Sequence, residues 1–164
     1  MSAPTRRIVT GHASDGRSVV LSDMPVPHVR HVPAARFDEV WASGPAPEPL
    51  EAEPVGEPTS AGSRIGAAAG GSVIRVIEFD GSGGPSPMHR TRTLDYGIVL
   101  EGEVVLLLSD SQVTLGPGDV VIQRGTDHAW QNRSGKPAKM AFVLIDAAFG
   151  KELAALIGEA EITA

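Results

Sequence analysis

The chain has 164 residues, a formal net charge of −6 and 41% hydrophobic residues. This is the length and composition of one globular domain, and the acidic charge argues against a nucleic-acid partner. Cysteine is absent, which excludes disulfides, iron–sulfur clusters, cysteine-ligated zinc and thiol nucleophiles. The 19 glycines and 13 prolines predict many turns and few long helices.

Residues 1–43 predict an N-terminal β arm. Two short β-prone runs, 6–10 and 18–21, flank the turn sequence Ser14-Asp15-Gly16 and so predict a hairpin. Beyond a proline-punctuated stretch, residues 37–43 predict another short strand. The first twelve residues lack the apolar segment of a secretory signal, so we expect a cytoplasmic protein.

Residues 44–71 predict a linker loop. The segment is rich in proline, glutamate and glycine and has few bulky apolar residues, so it cannot build a core of its own. Its glycine-rich end, 66–72, lacks the Gly-Lys-Ser/Thr ending of a phosphate loop, and we expect no nucleotide cofactor. The chain has no apolar run near the roughly 20 residues that cross a bilayer, so we expect no membrane partner.

Residues 72–147 predict a β-barrel. Short β-prone runs follow one another at roughly 8–12-residue spacing with turn residues between them, which is typical of a sandwich or barrel. The predicted strands are 73–79, 93–100, 103–108, 112–115, 120–123, 129–132 and 139–145. In the final segment, 148–164, a short helix is predicted over 151–157. Its face of Leu153, Leu156 and Ile157 is expected to pack on the outside of the barrel.

Two motifs lie within the predicted barrel. The first is Met-His-Arg-Thr-Arg-Thr-Leu-Asp-Tyr, which begins at Met88 and is followed by Gly102; the second runs from Gly116 to His128 and Asn132. Together they resemble the two motifs of the cupin superfamily. Counted back from Gly102, Asp95 falls on the acidic position of the first motif and His89 on its first histidine. His128, with Asn132 four residues later, matches the second motif.

The resemblance implies an all-β fold, the cupin double-stranded β-helix or jelly-roll barrel. More narrowly, both segments are similar to a subgroup of small cupins, some of which accompany polyketide pathways and are called cupin-domain oxidoreductases. In this chain Thr91 takes the place of the second histidine of the first motif, and Asp95 is shorter than the usual glutamate. Residues 124–126 replace the Pro-x-Gly of the second motif.

The candidate centre is His89, Asp95 and His128. Two imidazoles and one carboxylate suit a divalent metal with open positions, such as Fe, Mn, Ni or Zn. Without a metal, the same three residues would act as general acids and bases. The sequence leaves both alternatives open.

Strand parity assigns faces to the first motif. If this segment is extended, odd-numbered residues from His89 to Val99 point into the barrel, and Tyr96, Ile98 and Leu100 point outward. An outward apolar row needs cover, which the N-terminal arm or a second subunit would supply. We therefore expect a homodimer.

The remaining candidates concern the substrate. Trp130 shares the face of His128 and is expected on the cavity wall, while Arg92 and Arg124 are candidate clamps for a substrate carboxylate. The candidate centre predicts a small-molecule enzyme that acts on an oxygenated organic substrate, with or without a divalent metal, and the resemblance to the subgroup implies that this substrate is polyketide-like. The alternative is a non-catalytic cupin that binds or senses a small ligand in the same pocket.

Overall fold

The computed structural model describes residues 2–60 and 66–157. Within them it contains eleven β-strands and one α-helix. The strands are β1 Arg6–His12, β2 Ser18–Pro25, β3 His28–Val32, β4 Ala35–Ser43, β5 Ser72–Phe79, β6 Thr93–Glu101, β7 Val104–Leu107, β8 Gln112–Leu115, β9 Val120–Arg124, β10 Ala129–Gln131 and β11 Ala138–Asp146. The helix α1 is Lys151–Ile157.

Two antiparallel sheets build the predicted barrel. The larger sheet has the order β3-β4-β5-β11-β6-β9, and the smaller one has the order β10-β7-β8. The hairpin β1–β2 forms a separate two-stranded sheet. The mostly-β architecture with one short C-terminal helix is therefore confirmed.

The core lies between the inner faces of the two sheets. Strand β11 alternates buried and half-buried residues, and its Met140, Phe142 and Leu144 join the apolar core. Strand β6 follows the predicted parity, because Val99 is buried while Leu100 is exposed on the other face. The homodimer that this outward face suggested stays a prediction.

Strands β3 and β4 occupy a place that the sequence did not indicate. Strand β3 was not predicted, and both strands extend the larger sheet because β4 pairs with β5 along its whole length. Part of the predicted arm, 1–43, therefore belongs to the barrel wall. Of the strands in this segment, only β1 and β2 lie outside the larger sheet. Proline is tolerated at the ends of an edge strand, which explains how β3 fits between Pro27 and Pro33.

Helix α1 has the predicted bounds but not the predicted packing. None of its residues 151–157 is buried, and Leu156 is 84% exposed. A helical period shows which residues share a face and not whether anything covers that face. Of the predicted tail, 158–164 lie outside the described residues. In the part of the chain that the structure describes, no helix is long and apolar enough to cross a membrane.

Candidate active site

A cavity of about 710 Å³ opens into the barrel. Its wall is mainly apolar and includes Phe37, Phe79, Trp130 and Phe142. The predicted residues His89, Asp95 and His128 all line it, as do Thr91 and Gln123. A concave apolar site with a few converging polar groups is the usual form of a small-molecule site.

The backbone holds the two histidines together. His89 and His128 form an isolated antiparallel bridge in which each backbone N–H donates to the other residue's carbonyl, at 3.0 and 2.9 Å. Their ring centroids are 4.2 Å apart. The two motifs, 39 positions apart in the chain, therefore meet at one point of the barrel.

A tight turn aims His128 into the cavity. Gly125 has φ +61°, and a Cβ there would lie 2.5 Å from Cε1 of Phe149, so glycine suits this position both conformationally and sterically. Beyond the turn, the ring Nδ1 of His128 lies 2.9 Å from the carbonyl oxygen of Thr126. The turn thus fixes the direction of the imidazole.

Both histidines make the same kind of ring hydrogen bond. Nδ1 of His89 lies 2.9 Å from the carbonyl oxygen of Pro87, as Nδ1 of His128 does from that of Thr126. A carbonyl oxygen only accepts, so Nδ1 is the donor in each ring. In the neutral rings, Nε2 therefore keeps its lone pair.

Gln123 joins the carboxylate to the second histidine. Its Nε2 donates to Oδ2 of Asp95 at 3.0 Å and lies 3.1 Å from Nε2 of His128. All three side chains are buried. Two acceptor atoms of the trio, Oδ1 of Asp95 and Oε1 of Gln123, are buried with no hydrogen-bond partner. Buried acceptors usually have one, so these two oxygens mark a place where a ligand group can bind.

Sequence reasoning missed Gln123. The residue lies directly opposite Asp95 in the β6–β9 ladder, and a polar residue at an inward position of an apolar strand was the signal that could have found it. The pairing of β9 with β6 was needed to place the two side chains together.

Burial disfavours the charged form of both titrating groups of the trio, so it shifts their pKa values in opposite directions. It raises the pKa of Asp95, against the opposing effects of its neighbours Thr93 and Gln123 and of the Arg75 charge. It lowers the pKa of His128 to about 4. His128 is therefore neutral at pH 7, and Asp95 is a stronger base than an exposed carboxylate.

Comparison with known proteins identifies the family. The Cupin domain family model matches residues 75–145. The cupin-domain-containing oxidoreductase fogC of Aspergillus ruber is 36% identical over 149 residues, which cover 85% of this chain and 71% of that protein. The chain belongs to the cupin family. The predicted double-stranded β-helix and the predicted subgroup are thereby confirmed.

Other relatives of this cupin match shorter segments. Phomopsin biosynthesis cluster protein C' of Diaporthe leptostromiformis is 48% identical over 80 residues, 48% of this chain and 42% of that protein. The cupin-domain-containing oxidoreductase srdD of Neurospora crassa is 44% identical over 80 residues, 46% of this chain and 40% of that protein. The cupin thus spans less than half the length of these two relatives.

A solved structure is similar to part of this chain. The Cupin_2 domain of an XRE family transcriptional regulator from Enterobacter cloacae is 20% identical, with a TM-score of 0.42, and covers 47% of this chain and 83% of that one.

The predicted metal set does not form a ready metal centre in this cupin. Across residues 2–60 and 66–157, no group of three or more His, Asp or Glu side chains is placed to hold an ion. The amide nitrogen of Gln123 stands between Asp95 and His128 as a hydrogen-bond donor, and a donor repels a cation. Thr91, in place of the second motif histidine, shares a hydrogen bond of 2.7 Å with Thr93. The arrangement fits proton chemistry and does not fit a three-ligand centre.

The predicted substrate-binding residues fall into two groups. Trp130 lies on the cavity wall, with its ring 6.1 Å from that of His128. Arg92 and Arg124 are exposed and do not line the cavity, so the expectation that they clamp a substrate there is corrected. The guanidinium groups in the cavity wall belong to Arg30 and Arg75, on strands whose pairing the sequence did not reveal.

Proposed function

We propose that this cupin is a small-molecule enzyme that moves a proton on an oxygenated organic substrate, with Asp95 as the proton-transferring group. The observation that carries the proposal is the incomplete hydrogen bonding of Asp95 in an apolar cavity. The relatives named as oxidoreductases and as biosynthesis cluster proteins support a reaction in the biosynthesis of a secondary metabolite.

The step is an isomerisation, dehydration or cyclisation that begins at a C–H bond next to a carbonyl. Asp95 takes the proton on a carboxylate oxygen, and the C–H electron pair moves into the carbonyl to form an enolate. The same carboxyl then returns the proton to another atom of the substrate. Atoms and electrons balance within the substrate, so no external oxidant is required.

Three neighbours prepare Asp95 for this step. The apolar wall raises its pKa and so makes it a better base. Gln123 fixes Oδ2 through its amide, which leaves Oδ1 as the oxygen without a partner. The charge of Arg75, whose effect reaches Asp95, favours the negative charge that develops on the enolate.

The histidines have different roles. Neutral His128 accepts from Gln123 at Nε2 and orients the amide, so it is a positioning residue. His89 is half-buried, lines the cavity and has a lone pair on Nε2, which can accept a substrate hydroxyl proton. Because the amide of Gln123 that His128 orients is neutral, it keeps the Asp95 carboxyl in place without adding charge to the site.

Hydrogen–deuterium exchange tests the proposal. The probe is 2-tetralone in D₂O, a bicyclic ketone with acidic protons next to its carbonyl, followed by NMR. We expect the wild type to accelerate exchange over buffer and Asp95→Asn to lose about 10²–10⁴-fold of that acceleration. Asp110→Asn, which removes a carboxylate in an exposed turn, is the matched control and should retain the wild-type rate.

Two results would contradict this mechanism. If 2-tetralone binds in the cavity without any accelerated exchange, the protein is the ligand-binding alternative. If a chelator abolishes exchange and one divalent metal restores it, the reaction depends on a metal after all.

A further inference from the structure

The orientation of the Gln123 amide follows from its two neighbours. Its Nε2 lies 3.0 Å from Oδ2 of Asp95 and 3.1 Å from Nε2 of His128. A carboxylate oxygen only accepts, and Nε2 of neutral His128 accepts because Nδ1 of that ring donates to the carbonyl oxygen of Thr126. The reversed amide would place its own oxygen against these two acceptors. Both N–H groups of the amide are therefore used, and Oε1 is the atom left over.

Three open hydrogen-bonding atoms lie around this amide, and all three are acceptors. Within the described residues, Oε1 of Gln123 and Oδ1 of Asp95 are buried without a hydrogen-bond partner. Nε2 of His89 has a lone pair, since Nδ1 of that ring lies 2.9 Å from the carbonyl oxygen of Pro87. His89 is close enough for its charge to act on Asp95. All three residues line the cavity, so they face the same ligand.

A ligand satisfies these acceptors only if it brings hydrogen-bond donors. The carbonyl oxygen of a simple ketone only accepts, so a simple ketone would leave Oε1 unpaired in a site shielded from water, which weakens binding. A hydroxyl group donates its proton to Oε1 and removes that penalty. An ammonium group would also donate, but its positive charge would pair with Asp95 and make this carboxylate a weaker base. The acceptors therefore favour a neutral hydroxyl.

We propose that the substrate is a hydroxy ketone whose hydroxyl donates to Oε1 of Gln123 while the C–H bond next to its carbonyl faces Oδ1 of Asp95. This rests on the proposed function and adds the substrate class. Asp95 and Gln123 are direct partners in the β6–β9 ladder and are joined by one hydrogen bond, so a hydroxyl on or beside the reacting carbon is within reach of Oε1. Gln123 then determines specificity, and Asp95 transfers the proton.

Three ketones that differ at one position test the hydroxyl requirement. α-Hydroxyacetophenone has the hydroxyl, acetophenone lacks it, and α-methoxyacetophenone has a methyl group in place of the hydroxyl proton, so the two analogues bracket the hydroxy ketone in size. Calorimetry gives the affinity of each for the full chain. We expect the wild type to bind the hydroxy ketone at least about tenfold more tightly than either analogue, because a site that pairs with a hydroxyl discriminates against ligands without one.

A pair of matched variants locates the acceptor. Gln123→Met keeps the length of the side chain without its amide and should remove most of the preference for the hydroxy ketone. Gln112→Met makes the same change at an exposed position outside the cavity and should keep the full preference.

NMR of the glutamine side chains reports the hydrogen bond in the wild type. The chain has three glutamines, Gln112, Gln123 and Gln131, and of these Gln123 alone lines the cavity. With isotope-labelled glutamine, the side-chain carbonyl signal of Gln123 should move further with α-hydroxyacetophenone than with acetophenone. The other two signals should stay in place with both ketones.

The proposal is overturned if the wild type binds the three ketones equally, or if folded Gln123→Met keeps the full preference. If this variant does not fold, the wild-type spectrum decides, and a Gln123 signal that responds equally to both ketones overturns the proposal. Equal binding with Asp95-dependent exchange of 2-tetralone intact refutes the substrate class alone. A hydroxyl preference that needs Gln123, without any exchange, refutes the proposed reaction alone.

Discussion

Two buried polar clusters lie on opposite sides of the larger sheet. The outer cluster consists of Arg36, Asp38 and Glu78, on β4 and β5, and the N-terminal residues cover it. The inner cluster consists of Asp95, Gln123 and His128, on β6, β9 and the turn before β10. Every one of these six side chains is 5% exposed or less, so both clusters are shielded from bulk water.

The outer cluster is fully hydrogen-bonded. Arg36 donates to both oxygens of Asp38 and lies 3.1 Å from Glu78. Thr5 donates to Asp38 through its backbone N–H and its hydroxyl, at 2.7 and 2.8 Å. Ser2 does the same for Glu78, at 2.7 and 2.6 Å. The cluster attaches the start of the chain to the barrel.

The inner cluster has fewer bonds than it has polar atoms, because Oδ1 of Asp95 and Oε1 of Gln123 have no partner. Desolvation costs both clusters free energy, but only the outer one recovers it within the folded chain. Burial alone therefore does not distinguish the two clusters, whereas the completeness of their hydrogen bonds does.

Asp38→Ala should give the largest effect, because it breaks the saturated cluster. The substitution leaves the buried charge of Arg36 without its main partner, which typically costs about 3–5 kcal/mol. The free energy of unfolding in urea measures the loss. Asp23→Ala, which removes the exposed partner of Arg6, is the control and should leave the urea midpoint unchanged. A loss below about 1 kcal/mol for Asp38→Ala would contradict the view that this cluster holds the arm.

His128 makes the stability of the inner cluster depend on pH. Burial lowers its pKa from 6.5 to about 4, so between these values the unfolded chain takes up a proton that the folded chain does not bind. The free energy of unfolding therefore falls as the pH drops from 6.5 towards 4, by about 3 kcal/mol in all. Above pH 6.5 both states are neutral at His128 and the effect disappears.

The reference for this measurement is His128→Gln. The raised pKa of Asp95 acts in the opposite direction, because the folded chain binds a proton on Asp95 more readily than the unfolded chain does. This contribution is common to the wild type and the His128→Gln variant. Urea unfolding between pH 7 and pH 4 should therefore give a steeper fall for the wild type than for the variant. Parallel curves would mean that folding does not lower the pKa of His128.

Asp95→Asn should have the smallest effect on stability. It removes a carboxylate whose charge is disfavoured by burial, and the amide oxygen can still accept from Gln123. The free energy of unfolding should stay within about 1 kcal/mol of the wild type or rise above it. Asp38→Asn is the matched substitution in the outer cluster and should be clearly destabilising. Equal losses in the two variants would remove the distinction between the clusters.

Much of the fold follows from local sequence signals. Turn residues separate the strands from β5 to β11, and the alternation along β6 assigned Asp95 and Val99 to the inside and Leu100 to the outside. The motif spacing selected His89, Asp95 and His128, which the structure places around one cavity. These features depend on short-range periodicity, which a single sequence contains.

The rest depends on contacts between distant segments. Strand β3 is short and lies between prolines, so only its pairing with β4 identifies it. Gln123 becomes part of the site because β9 pairs with β6, and Arg30 lines the cavity because β3 continues the sheet. Arg92 and Arg124 lie next to the motifs in sequence, yet they point away from the cavity. Proximity along a strand is therefore a poor guide to which charged side chains reach a site.

The bridge between His89 and His128 joins one wall of the cavity to the second motif. Most of residues 80–89 line the cavity, and their last residue, His89, is joined to His128 by two backbone hydrogen bonds outside any named strand. Three residues earlier, Ser86 is joined to Trp130 by two more hydrogen bonds. Main-chain bonds therefore keep the two imidazoles side by side, and a substitution of either histidine side chain would leave those bonds in place.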